Sequence, residues 1–175
     1  MFNLTFKAEK LLIDLELRDK ITLVVGDSGI GKTYLIGQLL MLADSTDLIE
    51  SSSLPITDVS AITIDRFSTN KGVAGLIRNV DDYKVLIIDE FNSLIKRKDF
   101  NLVLDAINEA IDVYFILITR DFPNLPYTDN NISTISILDS HIKLSYIFDR
   151  GVRGYIEAGV KLNYKNNSFV SDNIK

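Results

Sequence analysis

The stretch Gly26-Asp27-Ser28-Gly29-Ile30-Gly31-Lys32-Thr33 decides the fold, because it matches the pattern G-x-x-x-x-G-K-[ST] at every fixed position. Its three glycines permit a tight turn and bring backbone N–H groups close to an anion, where side chains would intrude. In this pattern the lysine reaches the β- and γ-phosphates of a nucleotide, and the threonine hydroxyl is a ligand of Mg²⁺. The stretch therefore predicts a phosphate-binding loop.

The residues on either side predict the strand and the helix that such a loop joins. Residues 21–25 form a short, almost wholly apolar run, which is typical of a strand buried on both faces. After the loop, apolar residues recur at helical spacing, and they are Leu35, Ile36, Leu39, Leu40 and Ala43. A helix beginning there would direct the positive end of its dipole toward phosphates. We expect the nucleotide to contact Gly26, Asp27, Ser28, Gly29, Ile30, Gly31, Lys32, Thr33 and Tyr34.

A second informative segment is residues 85–90, in which four apolar residues precede Asp89 and Glu90. Taken alone, this pattern favours a buried strand followed by a solvated acidic turn. Downstream of a complete phosphate-binding loop, it instead resembles a Walker B motif. That resemblance implies that Asp89 holds Mg²⁺, directly or through water, and that Glu90 polarises the attacking water, as in ABC-type and AAA-type ATPases.

The clearest amphipathic helix in the sequence follows a candidate N-cap at Asp99. Its apolar positions are Phe100, Val103, Leu104, Ile107, Ala110 and Ile111. The all-apolar run 114–118 comes next, so the order strand, helix, strand predicts parallel pairing through a right-handed crossover. Thr119 at the end of this run resembles the sensor position of these ATPases, and Arg120 is a candidate for stabilising transition-state charge. An ordinary strand-end threonine and a solvated arginine are the competing interpretations.

Together these motifs resemble the branch of phosphate-loop NTPases that places an extra strand between its two Walker strands and uses a catalytic glutamate. The resemblance covers residues 21–120. It implies an α/β, three-layer fold with a mostly parallel central sheet flanked by helices, which binds MgATP where the strands end. More narrowly, the chain looks like the small stand-alone ATP-binding proteins of bacteria and their mobile elements.

The chain departs from the well-known members of this branch. It contains no L-S-G-G-Q signature, so a standard ABC dimer is not supported, and we expect no helical lid domain after the last core strand. Residues 70–73 lack the aspartate of N-K-x-D, and the acidic segment lacks the glycine of D-x-x-G, so guanine specificity is not supported. A small-molecule kinase stays open, although Glu90 beside Asp89 favours the activation of water.

Alternating apolar residues predict two β units outside this core. Residues 2–17 predict an antiparallel N-terminal ribbon, and residues 132–148 predict a C-terminal β hairpin. The proline-containing loop 121–131 is long for a compact domain, and long loops at strand ends often have functional roles. We expect a single domain over residues 1–162 and a polar, flexible tail over residues 163–175.

The composition is that of an ordinary globular protein, since 46% of the 175 residues are hydrophobic and 25% are charged. The lack of cysteine excludes disulfides and thiol catalysis, and the single histidine, His141, disfavours a histidine-based metal site. The apolar runs are too short to span a bilayer, so we expect a cytoplasmic protein with no membrane contact. A net charge of −5 argues against a broad nucleic-acid surface, although a local basic patch stays open at residues 96–98.

These patterns favour an ATP-binding, Mg²⁺-dependent hydrolase that acts on a macromolecular partner, either another protein or a second copy of itself. The candidate catalytic residues are Lys32, Glu90, Thr119 and Arg120, and the candidate metal ligands are Thr33 and Asp89. Arg150 and Arg153 are further candidates for an arginine that acts on a neighbouring subunit. The alternative is an interaction or inhibitor module that binds nucleotide with little or no hydrolysis.

Overall fold

The computed structural model of this protein describes residues 1–26, 31–63, 70–120, 132–146, 161–165 and 168–172. Within these ranges the strands are β1 Phe2–Ala8, β2 Leu11–Leu17, β3 Ile21–Val25, β4 Ser51–Ser52, β5 Val59–Ile62, β6 Val85–Ile88, β7 Tyr114–Thr119, β8 Ile132–Leu138, β9 His141–Tyr146, β10 Lys161–Lys165 and β11 Ser168–Asp172. The α-helices are α1 Lys32–Asp44, α2 Asn70–Asn79, α3 Phe91–Ile95 and α4 Phe100–Glu109. Short 3₁₀ turns cover Thr46–Leu48, Ile56–Asp58 and Val80–Asp82.

Nine of the described strands form one sheet, in the order β4-β1-β2-β9-β8-β3-β7-β6-β5. The half from β8 to β5 is parallel throughout. In the other half, β1 pairs antiparallel with β2 and β4, β8 pairs antiparallel with β9, and β2 pairs parallel with β9. The prediction of a mostly parallel sheet is therefore wrong, and the sheet is mixed. The physical reason is that both hairpins, which their short turns make antiparallel, join the parallel half instead of packing as separate units.

Helices cover both faces of the parallel half. Val85 and Ile87 of β6 share a core cluster with the buried side chains of α1, which are Leu35, Ile36, Leu39 and Leu42. Leu86 and Ile88 belong to a second cluster with buried side chains of α2, α3 and α4, among them Val73, Leu76, Phe91, Leu94, Val103 and Ile107. Because successive side chains of a strand point to opposite faces, α1 covers one face and the other helices cover the opposite one. The predicted α/β class with flanking helices is confirmed.

The N-terminal ribbon belongs to the same core cluster as α1, through buried residues that include Leu4, Phe6, Ile13, Leu15 and Leu17. The rings of Phe2 and Tyr114 stack at a centroid distance of 5.0 Å, although four strands separate β1 from β7 in the sheet. The sheet therefore bends around α1. The predicted N-terminal ribbon and the predicted hairpin of β8 and β9 are confirmed by their antiparallel pairing.

The helix α4 begins where the sequence predicts but ends earlier. Asp99 is its N-cap, as predicted, but makes no side-chain capping hydrogen bond, because its carboxylate accepts hydrogen bonds of 2.9 and 3.1 Å from the Arg97 guanidinium. The same guanidinium holds the pKa of Asp99 below its usual value. At the other end the helix stops at Glu109, and Ile111 is 77% exposed. The apolar spacing therefore continues beyond the helix, where Ala110 is still buried and Ile111 is not.

The described C-terminal residues form β10 and β11, an antiparallel pair in a sheet of its own. This pair overlaps residues 163–175, for which the sequence predicts a polar tail. The loop 121–131, Arg150 and Arg153 lie outside the described residues. Within the described ranges, no helix has both the length and the apolar character needed to cross a membrane.

The hydroxyl of Tyr146 ties β9 to β2, and we expect Tyr146→Phe to lower the free energy of unfolding by about 1–3 kcal/mol. This hydroxyl donates to the Glu16 carbonyl at 2.6 Å and accepts from the Arg18 N–H at 3.4 Å. Burial raises the pKa of Tyr146, so its stabilising effect is full below the ordinary tyrosine pKa and is lost as pH rises through the higher folded value. Urea unfolding measures the change. An unfolding free energy equal to that of the wild type would contradict the prediction, and Tyr83→Phe is the control.

Candidate functional site

The candidate site lies at the edge of the sheet where β3, β7 and β6 end. β7 lies between β3 and β6 and pairs in parallel with both, so the carboxyl ends of all three strands meet at this edge. The N–H of Gly26 donates to the carbonyl of Thr119 at 3.3 Å, and the N–H of Asp89 donates to the carbonyl of Ile62 at 2.9 Å. The strand order therefore brings the phosphate-loop strand, the acidic pair and Thr119 together.

Gly31 ends the loop and is the N-cap of α1, with a left-handed φ of 91°. A Cβ at this position would stand 2.5 Å from Cδ1 of Ile137 on β8. The backbone conformation favours glycine here, whereas the contact is with the end of a flexible side chain that could shift. The side chain of Lys32 extends to Gly26, since its Nζ donates to the Gly26 carbonyl at 2.7 Å. Four of the predicted nucleotide contacts, Asp27, Ser28, Gly29 and Ile30, lie outside the described residues.

The acidic pair forms a tight turn between β6 and α3. Glu90 has a left-handed φ of 47°, which is unusual for a residue other than glycine, and it is the N-cap of α3. Its N–H donates to Oδ1 of Asp89 at 2.8 Å, which orients the aspartate side chain. A left-handed residue of this kind costs about 1–2 kcal/mol, and such strain is concentrated at functional sites.

Thr119 is the last residue of β7 and Arg120 directly follows the strand, and their side chains lie in different environments. Thr119 is buried, with 1% of its surface exposed. Arg120 points outward, and its Nη2 lies 3.3 Å from Oε1 of Glu90 in an ion pair whose side chains are 54% and 37% exposed. Such an exposed pair adds little stability, so its interest lies in its position.

Most of the candidate site side chains line one cavity of about 300 Å³. The residues that line it are Gly31, Lys32, Thr33, Tyr34, Asp89, Glu90 and Arg120. It therefore contains two cationic and two anionic side chains. The cations suit the phosphate oxygens of a ligand, and the carboxylates suit a cation bound together with that ligand. Thr119 is not among the described lining residues, so the structure does not place it in contact with this cavity.

The side-chain oxygens of this cavity fit a Mg²⁺ ion that is bound together with phosphate, and they do not form a complete metal site by themselves. In the parts of the chain that the structure describes, no three histidine, cysteine or carboxylate side chains gather as a metal site. Mg²⁺ is usually held by one or two carboxylates together with substrate phosphates and water. Thr33, Asp89 and Glu90 supply a hydroxyl and two carboxylates to one cavity, so they fit this arrangement.

No motif in the sequence identifies Ile137 as a neighbour of Gly31. Ile137 packs against Gly31 because β8 continues beyond its pairing with β3, which ends at Val24 and Ser133. The only sequence signal for this strand is its alternating apolar pattern, which does not specify its neighbour. The ion pair between Glu90 and Arg120 could not be predicted from the sequence either, because thirty residues separate the partners.

No family model and no curated protein matches this chain. Among solved structures, one of katanin self-assembly is similar over 58% of this chain and 33% of its own, with 20% identity and a TM-score of 0.38. A ribosome-bound archaeal Pelota and ABCE1 structure is similar over 98% of this chain and 38% of its own, with 10% identity and a TM-score of 0.36. The chain thus spans about a third of the length of these solved chains. Similarity at these TM-scores establishes neither fold nor function.

Proposed function

We propose that this protein binds MgATP at the carboxyl edge of its sheet and hydrolyses it. The observation that supports this most directly is one cavity lined by three separate segments, namely residues 31–34, residues 89–90 and Arg120. The strand order β8-β3-β7-β6-β5 adds support, because β7 lies between the two strands that lead to the motifs. This order is consistent with the three-layer fold of phosphate-loop NTPases that have an extra central strand.

In the proposed complex the phosphates lie against the beginning of α1. The N–H groups of its first turn have no acceptor within the helix, and the helix dipole favours an anion there. Lys32 would exchange the carbonyl of Gly26 for phosphate oxygens, which form stronger, charge-assisted hydrogen bonds. Thr33 and Asp89 would hold Mg²⁺ together with phosphate oxygens and water.

For hydrolysis, Glu90 is the proposed residue that orients water and accepts its proton. The water oxygen would bond to the γ-phosphorus as the bond to the bridging oxygen breaks. Arg120 already lies beside Glu90 in the same cavity, where a cation would stabilise negative charge on the transferred group. Because Thr119 is buried, we propose that it positions Gly26 and Arg120 and does not touch the nucleotide.

A second candidate function is a nucleotide-binding module with little or no hydrolysis, which docks on a partner protein. The ion pair between Arg120 and Glu90 favours it, because a carboxylate oxygen directed at a guanidinium is not directed at water. In both candidate functions, we propose that nucleotide binding or hydrolysis is coupled to a macromolecular partner, because no feature of the sequence suggests a dedicated pocket for a small substrate.

Calorimetric titration with ATP, with and without Mg²⁺, tests the binding that both functions share. We expect one ATP per chain and an affinity that falls at least about tenfold when EDTA removes Mg²⁺, since the carboxylates then face the phosphates without a cation between them. Phosphate release measured in the same samples separates the two functions. A protein that binds no ATP under any of these conditions would contradict both.

A further inference from the structure

Tyr34 is an aromatic side chain at a position where the fold does not need one. It lies in the first turn of α1, is 42% exposed and lines the same cavity as Lys32 and Thr33. The side of α1 that packs in the core is formed by other residues, namely Leu35, Ile36, Leu39 and Leu42. Burial in the protein core therefore does not explain this ring.

A second partly exposed apolar side chain lies near the start of α1. Tyr34 follows Gly31 by three residues, so both lie on the same face of α1, one turn apart. Ile137 packs directly against Gly31 and is 40% exposed. An exposed aromatic ring and a partly exposed aliphatic side chain thus lie near the start of α1.

The cavity is consequently lined by side chains of two chemical kinds. Lys32, Asp89, Glu90 and Arg120 contribute charges of both signs, which suit a triphosphate and its cation. Tyr34 offers a flat π-surface within the same cavity of about 300 Å³. A ligand that fits both kinds has an anionic part and a flat aromatic part, which is the chemical description of a nucleoside triphosphate.

We propose that Tyr34 stacks on the base of the bound nucleotide, so that its ring strengthens the binding of a nucleotide and not that of triphosphate alone. This inference rests on the proposed nucleotide site. Stacking uses the face of the ring, and every base presents such a face, so the contribution of Tyr34 is the same for adenine and guanine. Specificity for one base over the other then comes from groups other than Tyr34.

The test is calorimetric titration of the folded full chain with three probes, which are MgATP, MgGTP and magnesium tripolyphosphate. For Tyr34→Ala we expect the affinity for both nucleotides to fall about tenfold, with affinity for tripolyphosphate unchanged. Tyr34→Phe keeps the ring and should bind all three probes like the wild type. Leu40→Ala is the matched control, because Leu40 is a 45% exposed apolar residue of the same helix that is not among the cavity-lining residues.

Three results would overturn the inference, and they are distinguishable. If Tyr34→Ala binds MgATP and MgGTP as tightly as the wild type does, Tyr34 does not contact the base. If the variant loses affinity for tripolyphosphate in the same proportion, the ring supports the conformation of the loop and does not stack. If the wild type binds none of the three probes, the proposed phosphate site itself is wrong, and the base site is excluded with it.

Discussion

Replacement of Lys32 by alanine is expected to weaken MgATP binding by about a hundredfold, which corresponds to the loss of charge-assisted hydrogen bonds worth about 3 kcal/mol. The reason is the location of the ammonium group. Lys32 belongs to the first turn of α1, lines the cavity and donates a hydrogen bond to the carbonyl of Gly26. Alanine removes the positive charge while it retains the helix, because alanine has the highest helix propensity.

Calorimetry measures this change, and thermal unfolding shows whether the variant is folded. Lys143→Ala is a matched control, since it removes one positive charge from an exposed position on β9. It should bind MgATP as the wild type does. If Lys32→Ala and Lys143→Ala have the same affinity, long-range charge explains any effect, and Lys32 is not a phosphate ligand.

Replacement of Glu90 by glutamine is expected to leave MgATP bound and to slow phosphate release by at least about a hundredfold, the usual contribution of a general base. Glutamine has nearly the same shape but cannot accept a proton from water. Glutamine at position 90 can adopt the same left-handed backbone conformation as glutamate, so we expect the geometry of the turn to be retained. The change also abolishes the ion pair with Arg120, which is exposed and adds little stability.

Single-turnover phosphate release with saturating MgATP measures this effect, with affinity determined in parallel. Glu109→Gln, an exposed carboxylate at the end of α4, makes the same chemical change outside the cavity and should not alter the rate. Equal rates for Glu90→Gln and the wild type would exclude Glu90 as the base. If the wild type binds MgATP and releases no phosphate with any partner tested, the binding module replaces the ATPase as the preferred function.

Much of the fold could be predicted from local sequence patterns. The alternation within residues 2–17 predicts the ribbon of β1 and β2, and the helical spacing after Lys32 predicts α1, because side-chain periodicity is a local property. The pattern at α4 extends too far, to Ile111, because apolar spacing does not show where the backbone leaves the helix. The N-cap position of Asp99 is confirmed, but its carboxylate binds Arg97 and does not cap the helix.

The candidate site was predictable where its residues are adjacent in sequence. The stretch from Gly26 to Thr33 and the pair of Asp89 and Glu90 are read from motifs, and the described members of both line one cavity, Gly26 excepted. The motif at Thr119 was less informative, since the same residue is buried at the strand end and only its neighbour Arg120 lines the cavity. Whether a residue at a strand end faces the cavity depends on register, which a motif does not specify.

By itself the sequence determined the local elements, the motif from Gly26 to Thr33 and the acidic pair, because each depends on residues that are neighbours along the chain. Only the tertiary structure decided that both hairpins join a mixed sheet and that Ile137 packs against Gly31. These features depend on strand order and register, which are set by the packing of the whole core around α1. Long-range packing of this kind has no local sequence signature.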